Sequence, residues 1–172
     1  MREIVLDTET TGLSPKDGHR VVEIGCVELW NCVPTGKTYH TYVNPERSMP
    51  PAAFNVHGLS EDFLRQHPRF SEIYEDFLDF IGSDTLVIHN ARFDVAFLNS
   101  ELKMLDQAVL TWDRVVDSLS LAKARFPGSP ASLDALCRRF AINAQHRTHH
   151  GALLDAQLLA GVYLELRGGR QP

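Results

Sequence analysis

Three short stretches carry acids at positions where acids could do chemistry. The first is Asp7-Thr8-Glu9-Thr10-Thr11-Gly12, which the apolar run Ile4-Val5-Leu6 enters directly. Residues two apart on a strand face the same way, so Asp7 and Glu9 present two carboxylates side by side. Like charges that close repel unless a cation lies between them, and hard carboxylate oxygens suit Mg2+ or Mn2+. Taken alone, such a pair reads as solvated acids ahead of a turn. The apolar strand before it and the Thr-Thr-Gly turn after it argue for a built site.

The second stretch is His89-Asn90-Ala91-Arg92-Phe93-Asp94, which follows the apolar run Leu86-Val87-Ile88 and opens a helix. Asp94 lies one turn into that helix, beside the end of the strand, where ligands of α/β folds gather. By itself it also reads as an acid stabilising a first helical turn. The third stretch is Arg147-Thr148-His149-His150-Gly151-Ala152-Leu153-Leu154-Asp155. At helical spacing Asp155 shares a face with Leu158, Leu159 and Val162, and a charge among leucines is costly without a partner. A metal ion is the natural one. A lone His150 would read as a surface or capping histidine. Five residues ahead of Asp155 it becomes a candidate general base, because its ordinary pKa lies near working pH.

Other chemistries lack their residues. There is no phosphate-binding lysine loop and no G-x-S-x-G, and the three cysteines and eight histidines lack zinc spacing. Asp117, after Val115-Val116, is placed to cap the helix that starts at Ser118. Asp134 reads as a first-turn helix acid, and His89 as a structural hydrogen-bonding histidine.

The elements that must position these acids are strands first and helix–strand units later. Residues 2–7, 21–29 and 38–43 are rich in β-formers and read as strands joined by short connections. Residues 44–51 read as a loop. Ser60 caps a short helix, and Ser71 is the expected cap of a helix over 72–81 whose apolar residues Ile73, Phe77, Phe80 and Ile81 share a face. Strands follow at 85–89 and around 115–116. Helices are expected over 93–105, 118–125, 132–140 and 151–166, the last stopped by Gly168-Gly169. This pattern predicts an α/β protein with a central mixed five-stranded sheet and helices on both faces. The catalytic domain is expected to span 1–167, with 168–172 a tail or the start of a linker.

The composition allows this. At 172 residues the chain suits one domain with a real core. No apolar run is long enough to span a bilayer, and the N-terminal residues lack the pattern of a signal peptide. Cys26, Cys32 and Cys137 form no C-x-x-C pair, which favours a reducing cytoplasm. The net charge of −5 argues against a protein that coats nucleic acid, though not against one that touches a strand end through bound cations.

In this order the three stretches resemble the DEDDh family of 3′→5′ exonucleases, whose fold is ribonuclease-H-like. The likeness extends through Phe54-Asn55-Val56-His57-Gly58-Leu59 and the segments 86–94, 117–137 and 147–164. It is strongest to the branch that proofreads for bacterial replicative DNA polymerases. The resemblance implies that Asp7, Glu9, Asp94 and Asp155 hold two divalent ions, Mg2+ or Mn2+, and that His150 takes a proton from water. It implies a terminal-nucleotide pocket formed by Thr10, Leu13, Val56, His57 and Phe93, a DNA 3′ end as substrate, nucleoside 5′-monophosphates as products, and a polymerase catalytic subunit as partner at the bacterial nucleoid. The sequence departs from the pattern in the His149-His150 doublet and in stopping at Pro172. An RNA-trimming or oligoribonucleotide-degrading relative would share these catalytic residues. A polymerase-associated scaffold with vestigial activity would not be expected to keep them all.

Overall fold

The apolar, β-branched segments form five strands: β1 (Arg2–Thr10), β2 (Val21–Trp30), β3 (Val33–Tyr42), β4 (Thr85–Ile88) and β5 (Val115–Asp117). In a computed structural model that describes residues 1–145 and 147–168, they make one sheet in the order β3-β2-β1-β4-β5. The first three are antiparallel neighbours. The β1–β4 and β4–β5 pairs are parallel, so the sheet is mixed, as expected.

Strand alternation sorts the core into two layers. Ile4 and Leu6 pack with Phe77, Phe97 and Leu98, beneath α3 (Phe70–Ile81) and α4 (Ala91–Met104). Val5 points the other way, to Leu159, Val162 and Tyr163, beneath α5 (Ser118–Arg125), α6 (Leu133–Arg139) and α7 (Ala152–Leu166). The same alternation places Asp7 and Glu9 on the α7 side and Thr8 on the α4 side. β1 is longer than expected and runs through Thr10, so both acids are held by its pairing with β2, Asp7 opposite Gly25 and Glu9 opposite Glu23.

Those two β2 residues fix where α7 begins. Gly151, ahead of α7, has no capping side chain. Instead Ala152 donates its backbone N–H to Glu23 Oε1 at 3.0 Å, so a buried carboxylate from another strand meets the positive end of the helix. Gly25 allows the approach: a Cβ there would collide with the backbone of Ala152 and Leu153.

Several boundaries differ from the sequence reading. β3 begins at Val33 rather than 38, its exposed first half carrying Pro34 and Gly36 on the sheet edge. Helix α1 (Pro51–His57) occupies a stretch for which no element was expected. Ser71 lies inside α3 and is not its cap. The helix starts at buried Phe70, where the Glu72 carboxylate accepts the backbone N–H of Arg69 at 3.2 Å and pairs with its guanidinium. α4 starts two residues early, behind Asn90 in a left-handed conformation at φ 64°. Ser60 and Asp117 do cap α2 (Glu61–Arg65) and α5, while Ser132, expected inside its helix, caps α6 instead. Gly168 follows α7 at φ 111°, while the rest of the expected tail, 169–172, lies outside the described residues. Among those residues no helix is long and apolar enough to cross a membrane.

Gly25→Ala should therefore cost about 3 kcal/mol, the upper end of the usual overpacking penalty, because the obstruction is backbone rather than a flexible side chain. Urea unfolding beside the parent protein measures it. A change below about 0.5 kcal/mol would mean that α7 can lift from the sheet without cost.

Candidate active site

The end of β1, the first turn of α4 and the first turn of α7 meet at one cleft of about 410 Å³, lined by Asp7, Glu9, Asp94, His150 and Asp155 together with Arg147. All five sequence-predicted catalytic residues are thus brought together. Asp94, 3% exposed, and Asp155, 4% exposed, are buried helix acids, not solvated ones. Donor atoms of Glu9, His150 and Asp155 lie within 4.8 Å of one another. Asp94 reaches across from the other face of the sheet and accepts at Oδ1 both the Thr8 backbone N–H, at 3.2 Å, and the Thr8 hydroxyl.

The electrostatics show an acid cluster short of positive charge. Asp7 Oδ2 is the one buried side-chain polar atom without a hydrogen-bond partner among the described residues. Burial, then the charges of Asp94 and Glu9, hold the Asp7 carboxyl well above the usual carboxylate range. Burial, with Asp155 and Glu23 next, pushes Glu9 up to about 9. Burial takes Asp94 to about 7, against the hydrogen bonds from Thr8. The orphaned oxygen, the all-carboxylate set and the raised proton affinities together fit a divalent cation, which coordinates hard oxygens and favours their ionised form.

Two contributors escaped the sequence reading. Arg147, with a side chain only 7% exposed, forks Asp155 through Nε at 2.7 Å and Nη2 at 3.0 Å, and reaches Asp134 through Nη1 at 2.6 Å. Asp134 is therefore more than a first-turn acid. Glu23, 4% exposed, caps α7 and bonds His40 Nε2 at 2.6 Å. Neither pair follows a helical or strand spacing, so a single sequence gives no signal for them.

The two histidines of the doublet diverge. His150 lines the acid cleft, and its backbone N–H donates to Val56 O at 2.9 Å. Burial, then the Arg147 charge, lowers its pKa, so the ring is neutral at neutral pH and free to accept a proton. His149 is exposed and stands over Gly58.

A second cavity, about 510 Å³ and mainly apolar, adjoins the cleft, and Glu9 and Phe93 line both. Its walls include Thr10, Leu13, Val56 and His57, so the predicted pocket residues also come together. Leu13 at 87% and Val56 at 44% exposed are not core residues. Phe93 packs on Phe97 at 4.9 Å between ring centres. The His57 ring is committed to backbone: Nδ1 accepts the Leu59 N–H, so Nε2 carries the proton and donates to Thr10 O at 3.0 Å. His89 is structural, as expected, between Ser118 Oγ and Ala131 O. Asp117 caps α5 and also accepts the Asn90 N–H at 3.0 Å.

The chain resembles known proteins over nearly its whole length. The Exonuclease family model matches residues 4–163. A DNA polymerase III subunit epsilon of Rickettsia felis is 53% identical over 174 residues, 99% of this chain and 76% of that protein. The Escherichia coli protein of the same name is 47% identical over 176 residues, 98% of this chain and 72% of its own length. Among solved structures, exonuclease X in complex with 5′ overhanging duplex DNA superposes with a TM-score of 0.76 at 24% identity, covering 95% of this chain and 90% of that one. The nuclease domain of 3′hExo, a DEDDh family member bound to rAMP, gives 0.79 at 18%, covering 97% and 92%. With the acids of β1, α4 and α7 converging as they do, this chain belongs to the exonuclease family and is a 3′→5′ exonuclease.

Proposed function

We propose that the chain removes nucleotides from a DNA 3′ end as the proofreading subunit of a cytoplasmic replicative polymerase. In this reading Asp7, Glu9, Asp94 and Asp155 hold two Mg2+ or Mn2+ ions and His150 is the general base. The observation that carries it is the junction of the two cavities. An apolar pocket suited to a nucleoside opens onto a carboxylate cleft suited to cations and the phosphate, and Glu9 and Phe93 stand at the boundary.

When bound, the ions would lower the pKa of a water and neutralise charge developing on the phosphate and the leaving 3′ oxygen. The chain's own residues do the rest. Leu13, Val56 and Phe93 contact base and sugar without reading a sequence, since apolar and stacking contacts tolerate any base. Thr10 and His57 brace the pocket wall through the Thr10 carbonyl. Neutral His150 takes the water's proton, the oxygen bonds to phosphorus, the P–O3′ bond breaks, and the leaving 3′ oxygen takes a proton from solvent. A nucleoside 5′-monophosphate leaves, and the shortened strand keeps a 3′ hydroxyl. Because the pocket takes a single unpaired nucleotide, a mismatched end, which frays at lower cost, reaches it more often.

A time course on 5′-labelled single-stranded DNA in Mg2+, beside the same sequence as RNA and an EDTA control, tests the reading. A ladder shortening from the 3′ end on DNA and absent with EDTA is expected. Preference for RNA would move the chain to an RNA-trimming role, and inertness on both would leave only a scaffold.

In the same assay Asp7→Ala should lose about a thousandfold, on the order of 4 kcal/mol of transition-state stabilisation, as should Asp155→Ala. Activity above about a tenth of the parent would count against the ligand assignment. The two should separate in stability: Asp7→Ala relieves repulsion, while Asp155→Ala strips Arg147 of its forked partner. His150→Ala should be severely impaired and His149→Ala mildly so. The reverse ranking would reassign the base.

Metal-free protein should also lose stability as pH rises. A carboxyl whose folded pKa lies near 7 or 9, as for Asp94 and Glu9, keeps its proton when folded but sheds it near 4 when unfolded. The folded state then binds more protons across that interval, and the stabilisation present at low pH disappears as pH passes the folded values. Melting in EDTA from pH 5 to pH 9 should show a falling Tm, and added Mn2+ should flatten the fall. A Tm that rises over this range without metal would contradict the crowding of the acids.

A further inference from the structure

A third cavity, about 620 Å³, runs along the outer face of α4 and plays no part in the chemistry above. Arg92, Ala96, Asn99 and Lys103 recur at helical spacing along its floor. One rim is the short turn Pro15–Asp17, which brings Lys16, and the other is the turn Trp112–Arg114, which brings Trp112. The lining holds three cations and no carboxylate, in a chain whose net charge is −5. Among the described residues Lys16, Arg92 and Lys103 enter no ion pair. Trp112 is 56% exposed, and Met104 beside it 54%.

The groove shares no lining residue with the site, but the same two elements serve both. Arg92 precedes Phe93, which lines both the nucleotide pocket and the acid cleft, and the loop after β1 gives Leu13 to the pocket and Lys16 to the groove. From Arg92 to Lys103 the helix advances about 16 Å, the reach of a few nucleotides. Unpaired cations beside an exposed indole are what a single strand requires, phosphates on one and a base stacked on the other.

We propose that this groove carries the DNA strand behind the nucleotide being removed, with Lys16, Arg92 and Lys103 on its phosphates and Trp112 stacked on a base. The inference rests on the nucleic-acid substrate argued above. It explains how an acidic protein holds a polyanion: attraction is concentrated away from the carboxylates, along the path that leads to them.

The test uses Asp7→Asn protein, so that the strand is not consumed, and fluorescence anisotropy with labelled (dT)12 and (dT)2 in Mg2+. Adding Lys16→Gln, Arg92→Gln and Lys103→Gln should weaken (dT)12 binding at least tenfold. It should also flatten the slope of log K against log salt by about 2, three phosphate contacts at roughly 0.7 each. Trp112→Ala should cost about fivefold or more. In a Trp30→Phe background, where Trp112 is the one remaining indole, (dT)12 and not (dT)2 should quench its fluorescence. With Asp7 restored, the groove variants should hydrolyse the dinucleotide at the parental rate. Unchanged (dT)12 affinity and salt slope in a variant with a parental melting curve would overturn the groove. So would an equal loss on the dinucleotide. Should the parent itself neither bind nor trim (dT)12, the substrate reading fails, and the groove falls with it.

Discussion

The structure turns on one unfavourable fact: it holds four carboxylates where their charges repel, with Glu9, Asp94 and Asp155 buried and Asp7 half-buried. Asp7 and Glu9 are forced together by strand alternation, Asp94 and Asp155 arrive on the first turns of two helices, and Asp7 Oδ2 has no partner. Nothing in folding rewards this. The core beneath must supply the stability that the cluster removes, and it does so on both faces of the sheet, with Ile4 and Leu6 anchoring one layer and Val5 the other. A cluster that is costly when empty is one that binds cations strongly when they come, because ligand charge and rigidity are already in place.

The supporting contacts follow from that constraint. The two helix acids, Asp94 and Asp155, are steered by residues outside the cluster. Thr8, on the opposite face of β1, holds Asp94. Gly25 and Glu23 on β2 let α7 come close and set the height at which Asp155 enters the cleft. Arg147 holds Asp155 with a two-point grip and is the cation nearest that acid. Its fork is strong because guanidinium and carboxylate match in geometry, and it ties α6 to α7 through Asp134.

How much of this was legible depended on distance along the chain. The placement of Asp7 beside Glu9 is a property of adjacent residues on a strand, and the sequence alone reveals it. The helix face of Asp155 is legible for the same reason. Helix α1 was not: its seven residues expose Phe54 and Val56 and bury His57, so no apolar stripe marks it. The first half of β3 hid behind an edge-strand proline and glycine, and the start of α3 behind a capping contact made by Glu72 rather than by Ser71. Glu23 and Arg147 act through partners that only the folded chain brings near. The pocket residues Leu13, Val56 and Phe93 are scattered over eighty positions and came from family likeness, not from pattern.

The hidden helix matters most for the histidine. The described residues just before α7 form little regular structure, yet the general base proposed at His150 must stand within hydrogen-bonding reach of its proton. Three contacts fix the end of that segment: Arg147 spans Asp134 and Asp155, the His150 N–H bonds Val56 O at the end of α1, and the His149 ring lies over Gly58 just beyond it. Gly58 adopts φ 73° there, and a Cβ would press on that ring at 3.0 Å. The doublet is thereby divided. One ring is held outside against the turn after α1, and the next residue lines the cleft. The helix that walls the apolar pocket through Val56 is the same one that holds the His150 backbone. In the function proposed above, substrate and proton acceptor would therefore be referenced to one element, and motion of that element would carry both together.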